Sequence, residues 1–236
     1  MNKNFHINAD VGEGFGIEAE IIPLIDSCNI ACGGHAGGKE ELSKAITIAK
    51  KNGVKIGAHP SYPDLKNFGR ISMEINLDEL YKSLKEQLIL FLHESSYTLN
   101  HVKAHGALYH DSANKLEIAS LLIKVILELC PHAIIVTLPN SILEKLGKEN
   151  NLTIWREGYI DRRYHDNGKL VSRTNPFATL SSLEDLNQQF YTLINHQYVK
   201  TLEGNPLSLK VDTLCIHGDH PDAVKNLKSL IIKFKK

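Results

Sequence analysis

Asn8-Ala-Asp10-Val-Gly12-Glu13-Gly14-Phe-Gly16 is the stretch on which the fold of this chain turns. An apolar run, Phe5-His-Ile7, stops at a carboxylate, Asp10, and a second acid, Glu13, follows inside a glycine-rich turn. Glycine reaches backbone angles closed to other residues and lets a ligand approach the main chain. A strand that ends in acids held by glycines is how many α/β enzymes present a carboxylate to substrate. Taken alone, the run reads equally as a tight turn carrying a solvated acid. Its repetition along the chain separates the two readings.

Short apolar stretches recur near residues 6, 29, 56, 102, 135, 154 and 214, and helical patterns or long loops separate them. Leu42, Ala45, Ile46 and Ala49 share one face of a helix over Glu40 to Asn52 that stops at Asn52-Gly53. Asn76 with Glu79 reads as a capping box opening a helix through Leu80, Leu84, Leu88, Phe91 and Leu92. Further helices are expected over Ser112 to Leu129, Ser141 to Lys148 and Leu183 to about Lys200, and Pro221 fits the first turn of a closing helix. Such alternation predicts a parallel sheet with right-handed crossovers. An open doubly wound sheet and a closed barrel share that pattern, so the placement of polar residues has to distinguish them.

Six of the seven strands end in groups capable of chemistry. They lead into Asp10 and Glu13; Cys32-Gly-Gly-His35; His59, with Asp64 and Arg70 beyond; Lys103-Ala-His105; Glu157 with Asp161-Arg162-Arg163; and His217-Gly-Asp219. The fifth runs out into the plainer Leu138-Pro-Asn140. In parallel barrels the carboxyl ends of the strands converge on one face, where active sites form. Six ends feeding one mouth favour a seven-stranded β/α barrel, and the length of 236 residues suits one such domain over 1–236.

One histidine at a strand end is commonly a structural residue. Four with the same placement, His35, His59, His105 and His217, point to a site. Imidazoles beside Asp10 suit a divalent metal, with Asp10, His59 and His105 as candidate ligands, and they suit metal-free acid–base work equally well. Lys103 reads either as support for an oxyanion or as a solvated side chain. Arg162 and Arg163 beside Asp161 read either as a clamp on a substrate carboxylate or as a surface ion pair, with Arg70 and Arg173 weaker cases of the same kind. Gly12-x-Gly14-x-Gly16 lacks dinucleotide-binding spacing, and neither a P-loop nor a GxSxG elbow is present. A reaction that uses ATP would find no recognisable nucleotide motif here.

Lys+Arg and Asp+Glu both total 27, so no nucleic-acid footprint or membrane-surface helix is indicated. No apolar run is long enough to cross a bilayer. The chain opens without a basic-then-apolar leader and its four cysteines lack metal or redox spacing, so a cytoplasmic location without disulfides is expected. Self-association is left open.

Six blocks, quoted in order, resemble the motifs of the LamB/YcsF family, the A subunits of bacterial 5-oxoprolinase. They are Asn8-x-Asp10-x-Gly-Glu13-Gly-Phe-Gly; Asn29-Ile-Ala-Cys-Gly-x-His35; Ile56-Gly-Ala-His59-Pro-x-Tyr-Pro-Asp64 with Phe68-Gly-Arg70; Val102-Lys103-x-His105-Gly-Ala-Leu-Tyr109; Glu157-x-x-x-Asp161-Arg162-x-Tyr164; and Cys215-x-His217-Gly-Asp219. The resemblance implies a seven-stranded barrel related to glycoside hydrolases and deacetylases. It also implies ATP-dependent opening of 5-oxoproline to glutamate, performed with B and C subunits on which ATP would act. Under it, Asp10, Glu13, His59, Lys103, His105 and Asp161 are candidate catalytic residues, and His35, Arg70, Arg162, His217 and Asp219 candidate substrate contacts. A carbohydrate deacetylase or metal-dependent amide hydrolase on the same barrel is the competing expectation. The chain departs from the family pattern at Gly34, usually aromatic, at Gly38-Lys39, usually Asp-Pro, and at Ser61, usually glycine. Ile71 stands in place of a second arginine, Ala104 in place of proline, and Thr174 to Ala178 in place of a Pro-Gly-Ala run. A changed pocket is expected from 34 and 71.

Overall fold

A computed structural model describes residues 5–218 and 222–234. Seven strands close into a parallel barrel: β1 (Ile7–Val11), β2 (Ser27–Ala31), β3 (Lys55–His59), β4 (His101–Lys103), β5 (Ile134–Thr137), β6 (Ile154–Tyr159) and β9 (Thr213–Ile216), joined in that order with β9 returning to β1. The expected strand positions and the closed barrel are both present. Nearly every strand residue is buried, as helices over a parallel barrel require.

Side chains alternate between the helix layer and the barrel interior. Ile7, Ala9 and Val11 join the apolar shell, while Asn8 and Asp10 point inward. Barrel interiors of this kind are usually filled by branched apolar side chains. Here the filling is polar and cross-linked. Asn8 Nδ2 donates to Thr213 Oγ1 at 2.8 Å, Asn29 Nδ2 donates to Asn8 Oδ1 at 2.8 Å, and His101 Nε2 lies 2.7 Å from Asn29 Oδ1. Gly57 makes room for that imidazole, since a Cβ there would lie 2.2 Å from His101 Nε2.

The shell comprises α1 (Glu18–Ile21), α2 (Lys39–Lys51), α3 (Leu77–Glu94), α4 (Gly106–Asn114), α5 (Leu116–Leu129), α6 (Ile142–Glu149), α7 (Leu183–His196) and α8 (Ala223–Phe234). The helix expected from Ser112 belongs to two. Lys115 is extended (φ −119°, ψ 121°) and splits α4 from α5, so that Gly106 starts a helix directly at the end of β4. The helix expected to reach Lys200 stops at His196, because Gln197 turns left-handed (φ 56°) into a hairpin, β7 (Tyr198–Lys200) and β8 (Pro206–Ser208). Asn76 caps α3 through one bond from Asp78 N to its Oδ1. Gly38 still opens α2, with Glu41 accepting its N–H at 2.9 Å. Pro221 lies outside the described residues. No described helix is long and apolar enough to cross a membrane.

Candidate active site at the carboxyl end of the barrel

The strand ends converge as the sequence predicts. A cavity of about 500 Å³ opens at this face, and its wall includes Asp10, Glu13, His59, Lys103, His105 and His217. Arg70 and Arg162 line it too, and His35 lies behind it, stacked face to face on His105 at 3.5 Å. Asp161 sits beside His217. Asp219 lies outside the described residues.

At the cavity floor Lys103, 1 % exposed, holds three groups together. Its Nζ lies 2.9 Å from Asp10 Oδ1, 2.9 Å from Glu157 Oε1 and 3.2 Å from Cys215 Sγ. The contact with Glu157 is an ion pair out of hydrogen-bond alignment. Burial disfavours the Lys103 charge, but Asp10, Cys215 and Glu157 outweigh it and hold its pKa well above the ordinary value. Burial pushes the Asp10 carboxyl upward, and His59 and Lys103 overcome that push to hold it well below the usual range. Asn29 Nδ2 donates to the same carboxylate at 2.7 Å. Asp10 is therefore an ionised acid on a rigid base. Cys215, Asn29 and Asn8 are members of this floor to which no sequence argument gave a role, and Glu157, read from the sequence only as a strand-end group, joins them. Their signal was the inward period-two alternation on strands whose register was unknown.

Above the floor lies a cluster of imidazoles. His59 Nδ1 faces the Lys103 carbonyl at 2.7 Å, and His105 Nε2 faces the Phe68 carbonyl at 3.0 Å. A carbonyl only accepts, so both of those nitrogens carry hydrogen. The other nitrogens, His59 Nε2 and His105 Nδ1, lie 3.0 Å apart, a contact that calls for a proton or a cation between them. Glu13 Oε1 is 3.3 Å from His105 Nδ1, and Asp10 Oδ2 is 3.4 Å from His59 Nε2. Burial drives the His105 pKa down to about 3 against the opposing pull of Glu13, and drives that of His35 down as well. Burial raises the Glu13 carboxyl, yet its contacts with His105 and His35 keep it far below its ordinary range. His35 Nε2 donates to Glu13 Oε1 at 3.0 Å. The neutral His105 and the ionised Glu13 and Asp10 thus gather around His59 Nε2, an arrangement that a proton there or a bound divalent cation would satisfy, with the far nitrogens of His59 and His105 tied to carbonyls and His35 tied to Glu13.

Among the described residues two groups could hold a metal: Glu13, His35, His59 and His105, and Asp10, Cys215 and His217. The second already has its cation in the Lys103 ammonium. The first has none.

Beside Asp10 stands a second acid–base unit. His217 Nδ1 lies 3.0 Å from Asp161 Oδ2, whose carboxylate also accepts the His217 backbone N–H at 2.9 Å. The imidazole stacks on Tyr159 at 5.4 Å. Burial raises the Asp161 carboxyl, and His217 pulls it below its ordinary value. With Nδ1–H donated to Asp161, Nε2 is the nitrogen available to the cavity. Arg162 is 4 % exposed and donates from Nη2 to the Val171 carbonyl at 2.6 Å, while its Nε has no hydrogen-bond partner. Arg163 points elsewhere, 4.0 Å from Asp185, and does not line the cavity.

The departures from the family pattern divide. Gly34 does not line the cavity; a Cβ there would lie 2.4 Å from Ser61 Oγ and 2.5 Å from Gln87 Oε1, so the space belongs to those two side chains. Ile71 and Ala104 do line it.

A closed β/α barrel whose strand ends bring two acid–base units to one cavity defines a barrel enzyme. Residues 5–236 match the LamB/YcsF family, and this chain belongs to it. It is similar to the 5-oxoprolinase A subunit of Pyrococcus furiosus, 36% identical over 93% of this chain and 89% of the other. It is likewise similar to the corresponding A subunits of Staphylococcus saprophyticus (38%, 93% and 90%) and of Haemophilus influenzae strain PittGG (34%, 99% and 97%). The crystal structure of the lactam utilization protein from Thermus thermophilus superimposes with a TM-score of 0.88 at 31% identity, covering 98% of this chain and 97% of that one.

Proposed function

We propose that this chain is the A subunit of an ATP-dependent 5-oxoprolinase and carries out the hydrolytic opening of the 5-oxoproline lactam to glutamate together with B and C subunits. The observation that carries the reading is that His59, His105, Asp10 and Glu13 share one cavity with His217, itself held by Asp161. Opening a lactam needs both. A base takes a proton from water as its oxygen bonds to the carbonyl carbon, and an acid gives a proton to nitrogen as the C–N bond breaks.

In this reading Asp10, with His59 or His105, receives the water proton. His217, entering the step as the imidazolium paired with Asp161, gives its Nε2 proton to the departing nitrogen and is left neutral, while Asp161 holds the ring through Nδ1–H. Lys103 keeps Asp10 ionised and lends positive charge near the developing oxyanion. Arg162 and Arg70 bind the substrate carboxylate, where a guanidinium can form paired hydrogen bonds. His35 orients Glu13, and Asp219 is kept as a candidate substrate contact on the sequence resemblance alone. An amide is unreactive, so coupling to ATP is chemically reasonable; in this reading ATP acts on the partner subunits, and the lack of a recognisable nucleotide motif in this chain agrees with that.

The test is glutamate release from 5-oxoproline and ATP, by this chain alone and with its B and C partners. Release only from the full mixture supports the reading. No release from folded, associated subunits sinks it.

A second reading rests on the lone-pair cluster at Glu13, His59 and His105, with Asp10 adjacent. A divalent cation bound there would polarise an amide carbonyl and lower the pKa of its water. This chain's residues would then act as a metal-dependent amide hydrolase without ATP. Metal analysis of the purified protein, with loss of ATP-independent amidase activity on chelation, distinguishes it.

A further inference from the structure

We propose that Phe68 and Gly69 form a positioning strap that fixes the tautomer of His105, so that this imidazole meets the reacting centre with a bare Nδ1. The inference deepens the proposed reading, in which the His59–His105 cluster is the reactive side of the cavity.

Both strap residues lie in the left-handed region, Phe68 at φ 54° and Gly69 at φ 61°. For glycine this is ordinary. For a bulky aromatic it is a true outlier, which persists only where the surroundings over-determine it. They do so here. Gly69 N–H donates to the Asp64 carbonyl at 2.8 Å, and the Gly69 carbonyl accepts from Ala107 N at 2.8 Å, at the start of α4. Gly106 permits that contact, because a Cβ there would lie 2.5 Å from Gly69 O. At one end of the loop Gln87 clasps Ser61 through both its N–H and its carbonyl, each at 2.9 Å. At the other, Ser72 and Tyr62 both donate to Asp111 Oδ2 on α4. The Phe68 ring stands edge-on to His35 at 5.2 Å and to His105 at 5.3 Å.

The product of this fixation is the direction of one carbonyl. Phe68 O lies 3.0 Å from His105 Nε2 and can only accept. Were the proton on Nδ1 instead, it would find acceptors in His59 Nε2 and Glu13, but the Nε2 lone pair would face a carbonyl oxygen. The strap carbonyl is the contact that opposes that state. Phe68 touches no reacting atom, so its role is that of a positioning residue acting through His105.

Nitrogen-15 NMR of the imidazoles in the full-length chain at neutral pH tests this directly. His105 is expected to carry its proton on Nε2. A proton on Nδ1 overturns the proposal whatever the activity. The second arm is Gly69→Ala, whose Cβ would lie 2.9 Å from His35 Cβ and push the strap off its site. A mixed or switched His105 tautomer is expected, with kcat for glutamate release down about tenfold and KM little changed. An Nε2–H signal as uniform as in the native chain overturns the proposal. Should Gly69→Ala fail to fold, the native spectrum alone decides. Failure of the native assembly to release glutamate would count against the enzymatic reading and leave the tautomer result standing.

Discussion

At the scale of single residues the site is governed by which charges are already answered. Lys103 answers Asp10, Glu157 and Cys215 at the floor, and removing it strands two buried carboxylates. Breaking a buried ion pair from one side costs on the order of 3–5 kcal/mol. Lys103→Met is therefore expected to lower the unfolding free energy by about that amount in urea titrations, in addition to abolishing turnover. Asp10→Asn retains the shape and removes the charge: turnover is expected to fall by at least about 100-fold, and near-normal glutamate release would remove Asp10 from the mechanism. Arg162 lines the same cavity with an unpartnered Nε. For Arg162→Ala we expect a KM for 5-oxoproline raised about tenfold or more, the loss of one charge-assisted contact; an unchanged KM assigns the carboxylate elsewhere.

Among elements, the connection from β3 to α3 and the start of α4 form one unit, held by Gln87 below and Asp111 beyond. The glycine at 34 belongs to that unit through packing. Any side chain there meets Ser61 and Gln87, so Gly34→Ala is expected to destabilise by about 1–3 kcal/mol, the usual cost of overpacking. The double variant Gly34→Ala with Gln87→Ala should recover part of the loss in thermal melts. Strict additivity of the two changes would show that the contact is not shared. The same coupling explains why an aromatic at 34, usual in the family, is incompatible with Gln87 as placed here.

For the whole molecule, the polar barrel interior makes stability depend on pH in one direction. Burial pushes the folded pKa of His101 down to about 3, and burial with Arg162 nearby pushes that of His110 down to about 4. The unfolded chain takes up these protons near pH 6.5. Between the folded and unfolded values the unfolded state holds more protons, so stability rises with pH and falls as acid is added below about 6.5. Asp10 and Asp161, whose folded pKa values are lowered, add stability that is present above about pH 4 and lost as pH falls through the folded values. Thermal midpoints are expected to drop steadily from pH 6.5 to 4. A flat profile over that range would mean that the two histidines are charged in the folded state.

Local periodicity, with acids and histidines gathered at strand ends, was enough to place the seven strands in order, to close them into a barrel and to pick the face that carries chemistry. Both signals survive in one dimension. They could not assign Glu157, Cys215 and Asn29 to the floor, because only the register between strands brings those residues to Lys103 and Asp10. They also ran two helices into one at Lys115 and overran Gln197, since a single backbone residue out of helical angles leaves no trace in apolar spacing. Two facts waited on the folded chain: that Gly34 faces Gln87 and not the cavity, and that Arg162 rather than Arg163 meets the mouth. Each is a matter of distance and direction between segments far apart in the chain. Composition and spacing fix what groups a segment offers; closure of the barrel fixes which of them meet.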